Sequence, residues 1–477
     1  MKAKLLVLSF LIIISQTELV WAQTIQSIIA SAPNQEAFWS VTIRGENGEI
    51  LESLNSDKLI APASNQKLLT TAAVLDAFGS DYRYQTHIYG KGEQIGEVWN
   101  GDLIIKGSGD PSISGFMYND NRYHVFEQFL VQLEEKNITE ISGNIIADLS
   151  LFDRDYYPKG WDWYDFSFYY GVQISPLSFN NNAVDLEVFA DGEVGGLPGI
   201  KWFPDSTNYV EFVNEQVITN PSKKYDEYYR RGFGNNTIVL RSGLPQGYYE
   251  TESLSVDNPE LFFLDSFSKF IQRNGIYFDG ELEISISPAA DSSLPVLATH
   301  QSVPMGDLVA WTNKESDNLF AEMLLKTLSA AKGDEAGSFE HGVNQVRTFL
   351  ADSGIDTSFV LMNDGSGLAI GNFTKTSIIS DLLYKMMGHP EWNGYLKSMS
   401  IAGIDGTVAH RMKGTPLYNN FKGKSGFVTG VRTLSGYFEA KSGKKIIVSL
   451  ATNNFVGKVR PVDAIHEEIL QYLYNKY

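Results

Sequence analysis

The sequence predicts an α+β protein, with helical and strand segments at both ends of the chain and a long β-rich region between them. Three observations carry this. Alternating apolar patterns at 38–44 and 50–54, joined through Glu46-Asn-Gly-Glu49, and again at 419–429, 433–441 and 444–452, read as strands. Apolar residues recur at helical spacing at 24–32, 61–79, 304–332, 337–353, 375–387 and 461–477. From about Tyr82 to Ser287 glycine, aromatic and β-branched residues dominate, and only 125–135 and 259–274 read as helices. Within that region 202–234 is rich in Tyr, Asn and charge and is expected to form a smaller subdomain.

The 477 residues suffice for two or three domains with a sizeable core, and 43% hydrophobic against 20% charged residues makes the chain globular. Met-Lys-Ala-Lys followed by the apolar run Leu5–Ile14, with Val20-Trp-Ala22 before Gln23, reads as a cleavable signal peptide over 1–22. The apolar run is short for a spanning helix, which needs about 20 residues, and no later run approaches that length. The protein is therefore expected to be exported, to a periplasmic or other extracytoplasmic space, with no stable membrane span after cleavage. It has no cysteine, which excludes thiol catalysis, zinc–cysteine sites and disulfides. The formal charge of −19 becomes −20 once Lys2, Lys4 and Glu18 leave with the leader, which argues against nucleic acid as a partner.

In chain order, the Asn47-Gly48 turn between two strand patterns predicts a hairpin. The segment 61–79 follows as a buried helix. Pro62 suits its first turn, Leu68, Leu69, Ala72, Val74 and Leu75 supply apolar packing, and Gly79 is a C-terminal cap. Ser64 and Lys67 stand at i and i+3 in its first turn and so share a face. A serine hydroxyl is a weak nucleophile until a base takes its proton, and a lysine serves as that base when burial lowers its pKa. The same spacing recurs at Ser266–Lys269, Ser329–Lys332 and Ser442–Lys445, so the pair alone decides nothing. The final helix carries Val462, Ile465, Ile469 and Leu473 at helical spacing; Glu467, Glu468 and the lack of a basic face favour core packing over membrane anchoring.

Two further elements complete a set. Ser316-Asp-Asn318 interrupts an apolar helical stretch, although Ser-x-Asn also occurs at Ser53, Ser142 and Ser178. Lys424-Ser-Gly426 falls in a predicted strand, with Gly423 and Gly426 permitting close approach of a ligand to the backbone. A rival, Lys441-Ser-Gly443, sits between two strand patterns beside Lys444 and Lys445 and reads as a hairpin turn. Ser-x-x-Lys, Ser-Asp-Asn and Lys-Thr-Gly in that order are the joint signature of class A β-lactamases and penicillin-binding proteins. Here Ser425 replaces the threonine and keeps the hydroxyl. In the corresponding chemistry Ser64 attacks a carbonyl, Lys67 accepts its proton and Ser316 relays a proton to the leaving amine. Asn318 holds the substrate amide, and Lys424 and Ser425 meet a C-terminal carboxylate beside Gly426. The backbone N–H groups of Ser64 and Phe427 form the expected oxyanion hole. As a cleft lysine, Lys424 is expected to be exposed and to matter little for folding.

The chain resembles in detail the class C low-molecular-mass penicillin-binding proteins, which are D-alanyl-D-alanine carboxypeptidases and endopeptidases. The supporting stretches are Gly101–Pro111, Phe152-Asp153 with Gly160-Trp161, Ser175–Asn180, Asp364-Gly-Ser-Gly-Leu368, and Gly403–Thr407 with Gly414-Thr415. Departures are Ser425 for the commoner Thr, and Phe427 where a small hydroxyl residue is frequent. The 252 residues between Ser64 and Ser316 leave room for the accessory domains this family inserts there. The resemblance implies a transpeptidase/serine β-lactamase-like α+β domain, an antiparallel sheet between helix layers, built from 23–81 and 288–477. The region 82–287 would be the inserted β-rich accessory part. It implies hydrolysis of D-Ala-D-Ala ends or D-alanyl cross-links of peptidoglycan stem peptides, with β-lactam antibiotics as covalent inhibitors and no cofactor or metal. Three other readings compete: a serine β-lactamase, a related D-amino-acid peptidase or esterase, and a non-catalytic wall-binding protein. No dedicated deacylating glutamate stands out for the first, and the intact Ser64, Lys67, Ser316 and Lys424 argue against the last.

Overall fold

The computed structural model describes residues 23–205, 207–225, 228–331 and 335–477. The leader expected at 1–22, and Lys332 of one rival Ser-x-x-Lys pair, lie outside them. The two ends of the chain meet in one sheet. Phe38–Gly45 pairs with Ile50–Leu54 on one side and with Lys445–Asn453 on the other, so the N-terminal hairpin extends a C-terminal meander. The order of the six antiparallel strands is Ser400–Ile401, Lys422–Val428, Val431–Glu439, Lys445–Asn453, Phe38–Gly45, Ile50–Leu54.

Side-chain alternation puts the two faces of this sheet against different cores. Leu434, Phe438, Ile446, Val448 and Leu450 pack with Ile25, Ile28 and the terminal helix Arg460–Lys476. Tyr437, Ile447 and Ala451 face the opposite way, into a larger cluster with the helices Gln66–Phe78, Met305–Lys314, Asn318–Ala330, Phe339–Asp352 and Thr376–Met386. The sheet therefore lies between helix layers. The helix Gln66–Phe78 is buried over Gln66–Leu75, so it is the centre of its layer and not an amphipathic surface helix.

The middle region builds separate sheets around a third core, supported by the helices His124–Glu135 and Pro259–Arg273. Seven strands form the largest sheet, in which Gln85–Ile95 lies between Val98–Lys106 and Val296–Gln301. That last strand corrects the boundary expected at 287/288. Val296–Gln301 pairs with Gln85–Tyr89 and not with the terminal-segment sheet, so the change-over falls after Gln301. Within 202–234, Glu211–Asn214 and Tyr229–Arg231 flank Thr237–Leu240 in a small sheet of their own, while Trp202 belongs to a strand paired with Ala183–Phe189. Tyr229, Ile238 and Leu240 nonetheless join the same buried cluster as the rest of the middle region.

The helical patterning at 304–332, interrupted in the sequence by Ser316-Asp-Asn318, forms two helices, Met305–Lys314 and Asn318–Ala330, joined through Ser316 at φ +63°. Asp317 caps the second by accepting the Phe320 N–H at 3.1 Å. The short helix Trp392–Lys397 and the edge strand Ser400–Ile401 had no clear signal in the sequence.

Candidate active site

Ser64 lies in a 3-10 turn, Ala63–Asn65, immediately before the buried helix and not within its first α-turn. Ala63 holds φ +45°, a left-handed conformation that costs a non-glycine residue about 1 kcal/mol or more. Its surroundings enforce it. Thr433 Oγ1 donates to Pro62 O at 2.9 Å, and Asn65 Nδ2 donates to Ser435 Oγ at 2.6 Å, tying the turn to the central strand of the sheet. Gly367, at φ +87°, comes so close that a Cβ there would collide with Ala63 O. On the sheet side a Cβ at Gly426 would stand 2.9 Å from Ser64 N, so the strand Lys422–Val428 passes directly over the turn that carries Ser64.

Lys67 Nζ reaches Ser64 Oγ at 3.3 Å, Asn318 Oδ1 at 2.6 Å and Ser366 O at 2.9 Å. Lys67 is completely buried, and burial pushes its pKa down to about 8, although Asp364, Glu322 and Asp317 pull the other way. Asn318 Nδ2 donates to Tyr170 O at 2.8 Å, which orients the amide with its oxygen toward Lys67. Across the cleft, Lys424 Nζ donates to Ser316 Oγ at 2.9 Å and to Ser425 O at 2.7 Å, while Ser425 Oγ meets Thr407 Oγ1 at 2.8 Å. Phe427 is half exposed next to them.

All the residues singled out in the three motifs therefore converge on one cleft. One expectation fails: Lys424 is not exposed but fully buried. Burial, with the Lys67 and Arg432 cations adding to it, holds its pKa well below the ordinary lysine range. The rival motifs lie elsewhere. Ser266 is buried in the middle-region helix Pro259–Arg273, where Lys269 pairs with Asp265 at 2.7 Å. Lys441-Ser-Gly443 forms the turn between Val431–Glu439 and Lys445–Asn453, as expected.

Several residues behind the cleft had no role assigned from the sequence, Asp364 and Ser366 standing there only within a family-like stretch. Asp364 is fully buried and accepts from Gly367 N at 2.8 Å, Ala369 N at 2.7 Å, Asn372 Nδ2 at 2.8 Å and Trp161 Nε1 at 2.9 Å. It moulds the loop whose Ser366 carbonyl holds Lys67. Glu322 accepts from Gly365 N at 2.8 Å and Ser366 N at 2.8 Å. Burial and neighbouring Asp364 raise its pKa to about 8 in spite of those bonds. Its oxygens are thus committed to the loop and not turned on Ser64. Glu322 and Lys326 follow Asn318 at four-residue steps on a mostly apolar helix, a spacing that could have revealed them. Thr407 stands in the family-like stretch Gly403–Thr407 with no role of its own assigned there, and the Tyr170 carbonyl had no signal.

The chain matches the model of the D-Ala-D-Ala carboxypeptidase 3 (S13) family over residues 21–472. It is 28% identical over 448 residues to a D-alanyl-D-alanine carboxypeptidase of Actinomadura sp. (strain R39), covering 91% of this chain and 81% of that one. The crystal structure of penicillin binding protein 4 from Haemophilus influenzae, a protein also solved in complex with a β-lactam, superposes with a TM-score of 0.85. That match has 22% identity and covers 95% of this chain and 100% of the other. A predatory peptidoglycan endopeptidase of Bdellovibrio bacteriovorus shares the fold at a TM-score of 0.53 and 15% identity, over 91% and 92% of the two chains.

Proposed function

The chain belongs to the S13 D-Ala-D-Ala carboxypeptidase family, and from that membership we propose that it hydrolyses D-alanyl bonds of peptidoglycan stem peptides through an acyl-enzyme on Ser64. The reading covers D-Ala-D-Ala carboxypeptidase action, D-alanyl endopeptidase action, or both, with β-lactams acylating the same serine. The observation that carries it is the position of Lys67 Nζ, 3.3 Å from Ser64 Oγ and pinned from behind by two oxygens.

Each step of acylation has a residue to perform it. Ser64 Oγ attacks the penultimate D-Ala carbonyl while Lys67 takes its proton. The N–H groups of Ser64 and Phe427 receive the developing oxyanion. Ser316, bonded to Lys424, hands a proton to the departing amine as the C–N bond breaks, and water later releases the acyl group. Asn318 supports both Lys67 and the substrate amide. Lys424, Ser425 and Thr407 line the end of the cleft that a terminal carboxylate would enter, with the Gly426 backbone alongside. Residues 82–301 are proposed as accessory to this catalytic unit, and segment 1–22 as a leader that exports the protein to a periplasmic or other extracytoplasmic space. Among the described residues no helix is long and apolar enough to cross a membrane.

Incubation with benzylpenicillin followed by intact-mass measurement should give one penicilloyl adduct, and peptide mapping should place it on Ser64. An adduct on Ser266, Ser329 or Ser442 would refute the assignment. The lifetime of that adduct separates the two hydrolase readings, since a β-lactamase must shed it quickly and a carboxypeptidase need not. Purified disaccharide-pentapeptide should lose its terminal D-Ala.

The lysine also sets a pH dependence. Its neutral form is the base and is populated above a pKa of about 8. The second-order rate of Ser64 acylation should therefore climb with pH through neutrality and level off above about 8. A rate that is flat between pH 6 and 9, or that falls across this interval, would remove Lys67 from the role of base.

A further inference from the structure

The segments 161–170 (Trp-Asp-Trp-Tyr-Asp-Phe-Ser-Phe-Tyr-Tyr) and 228–236 (Tyr-Tyr-Arg-Arg-Gly-Phe-Gly-Asn-Asn) contain no aliphatic residue, and the fold brings them together. Arg231 makes the joint. Its backbone N–H donates to Ser167 Oγ at 3.1 Å and its guanidinium to Phe166 O at 3.1 Å. On the outside of this joint stand large rings that the core leaves uncovered: Trp163 is 61% exposed, Tyr164 51% and Phe233 66%. Their centroids are regularly spaced, Trp163 to Tyr164 at 5.9 Å and Trp163 to Phe233 at 6.0 Å. Arg230 lies over the Tyr164 ring at 3.7 Å. From beneath, Phe166 supports Phe233 edge-on at 6.4 Å and is itself stacked on Tyr157 at 4.0 Å.

Packed rings connect this face to the Ser64 site, with Phe168 buried between them. Arg230 also contacts Phe168 at 5.7 Å, Phe168 stacks on Tyr170 at 5.5 Å, and the Tyr170 carbonyl holds Asn318. A rigid, exposed cluster of rings free of aliphatic side chains, with guanidinium donors at its rim, suits a ligand with a flat C–H face and a polar edge. Hexopyranose rings have that shape. A stem peptide bound at Ser64 is attached to such rings in the peptidoglycan glycan strand.

We propose that Trp163, Tyr164 and Phe233, with Arg230, form a carbohydrate subsite that seats the amino-sugar rings of the glycan strand from which the scissile peptide extends. This rests on the carboxypeptidase reading of the Ser64 cleft. The subsite adds affinity for wall-attached peptide over free peptide and takes no part in bond breaking.

The test compares two substrates, a disaccharide-pentapeptide and the same pentapeptide without sugar, on the wild type and on the Trp163→Ala/Phe233→Ala double variant. Wild type should favour the disaccharide substrate in kcat/KM. The double variant should lose roughly tenfold on that substrate, through KM, as expected for two ring contacts. Hydrolysis of the free pentapeptide, acylation by penicillin and the melting curve should stay as in wild type. Equal kcat/KM of wild type for the two substrates would overturn the proposal, as would an equal loss of the variant on both. No loss on either substrate would do so too, and would leave the face to a protein partner. Wild type inactive on both substrates would instead count against the carboxypeptidase reading itself.

Discussion

Lys67→Met should slow acylation of Ser64 by on the order of 10³-fold or more, the upper part of the range for losing a positioned general base. The geometry shows why no neighbour can replace it. Asn318 Oδ1 and Ser366 O each accept a hydrogen bond from Nζ, at 2.6 and 2.9 Å. A neutral amine spends its two N–H bonds on those oxygens and has its lone pair left for the Ser64 hydroxyl at 3.3 Å. The carboxylates near the site are engaged elsewhere: Glu322 and Asp364 accept backbone N–H groups of the 364–369 loop, and Asp317 caps its helix. Lys67→Arg should be equally inactive, because a guanidinium keeps its proton at any pH at which the protein is folded. Methionine matches the lysine stem in length and carries no charge into a buried site, so its melting curve should remain close to wild type. Labelling of either variant by fluorescent penicillin at the wild-type rate would rule Lys67 out as the base.

The three motifs could be read in the sequence because each needs particular side chains at short spacing. Ser64 with Lys67, Ser316 with Asn318, and Lys424 with Ser425 are such local pairs. What supports them is not local. The Ser366 carbonyl that fixes Lys67 comes from 299 residues along the chain, and the Tyr170 carbonyl that orients Asn318 from 148 residues away. A backbone oxygen has no residue type by which to recognise it. The same limitation explains the misplaced boundary. Val296-Leu-Ala-Thr-His-Gln301 runs straight into the helix Met305–Lys314 in sequence, yet its strand partner is at 85–89. The strand patterns at both ends were legible from period-2 alternation, and their joining into one sheet was an expectation of the family resemblance. Burial of Lys424 was not legible, since a Lys-Ser-Gly strand facing a cleft looks the same whether or not the cleft closes over the lysine.

That burial reshapes what should follow from replacing Lys424. Lys424→Ala should lower the acylation rate by roughly 10²-fold, about 3 kcal/mol, the scale of one strong preorganised contact in a transition state. It should also lower the thermal midpoint, because the fully buried lysine stem leaves a cavity. Lys424→Met separates the two effects. It keeps most of the stem volume and removes a charge whose desolvation, with Lys67 and Arg432 nearby, works against the charged form. Its acylation should be as slow as that of the alanine variant, while its midpoint should equal or exceed that of wild type. The loss of acylation arises because the ammonium both bonds Ser316 Oγ and faces the end of the cleft where Ser425 and Thr407 lie. On the proposed reading, an incoming carboxylate would be the anion that favours the charged lysine there. Lys441→Ala, in the exposed turn of the second Lys-Ser-Gly, should change neither acylation nor the midpoint. If acylation instead fails in Lys441→Ala and survives in Lys424→Met, then the strand Lys422–Val428 is not the substrate-binding edge, and the hydrogen bond from Lys424 to Ser316 is structural only.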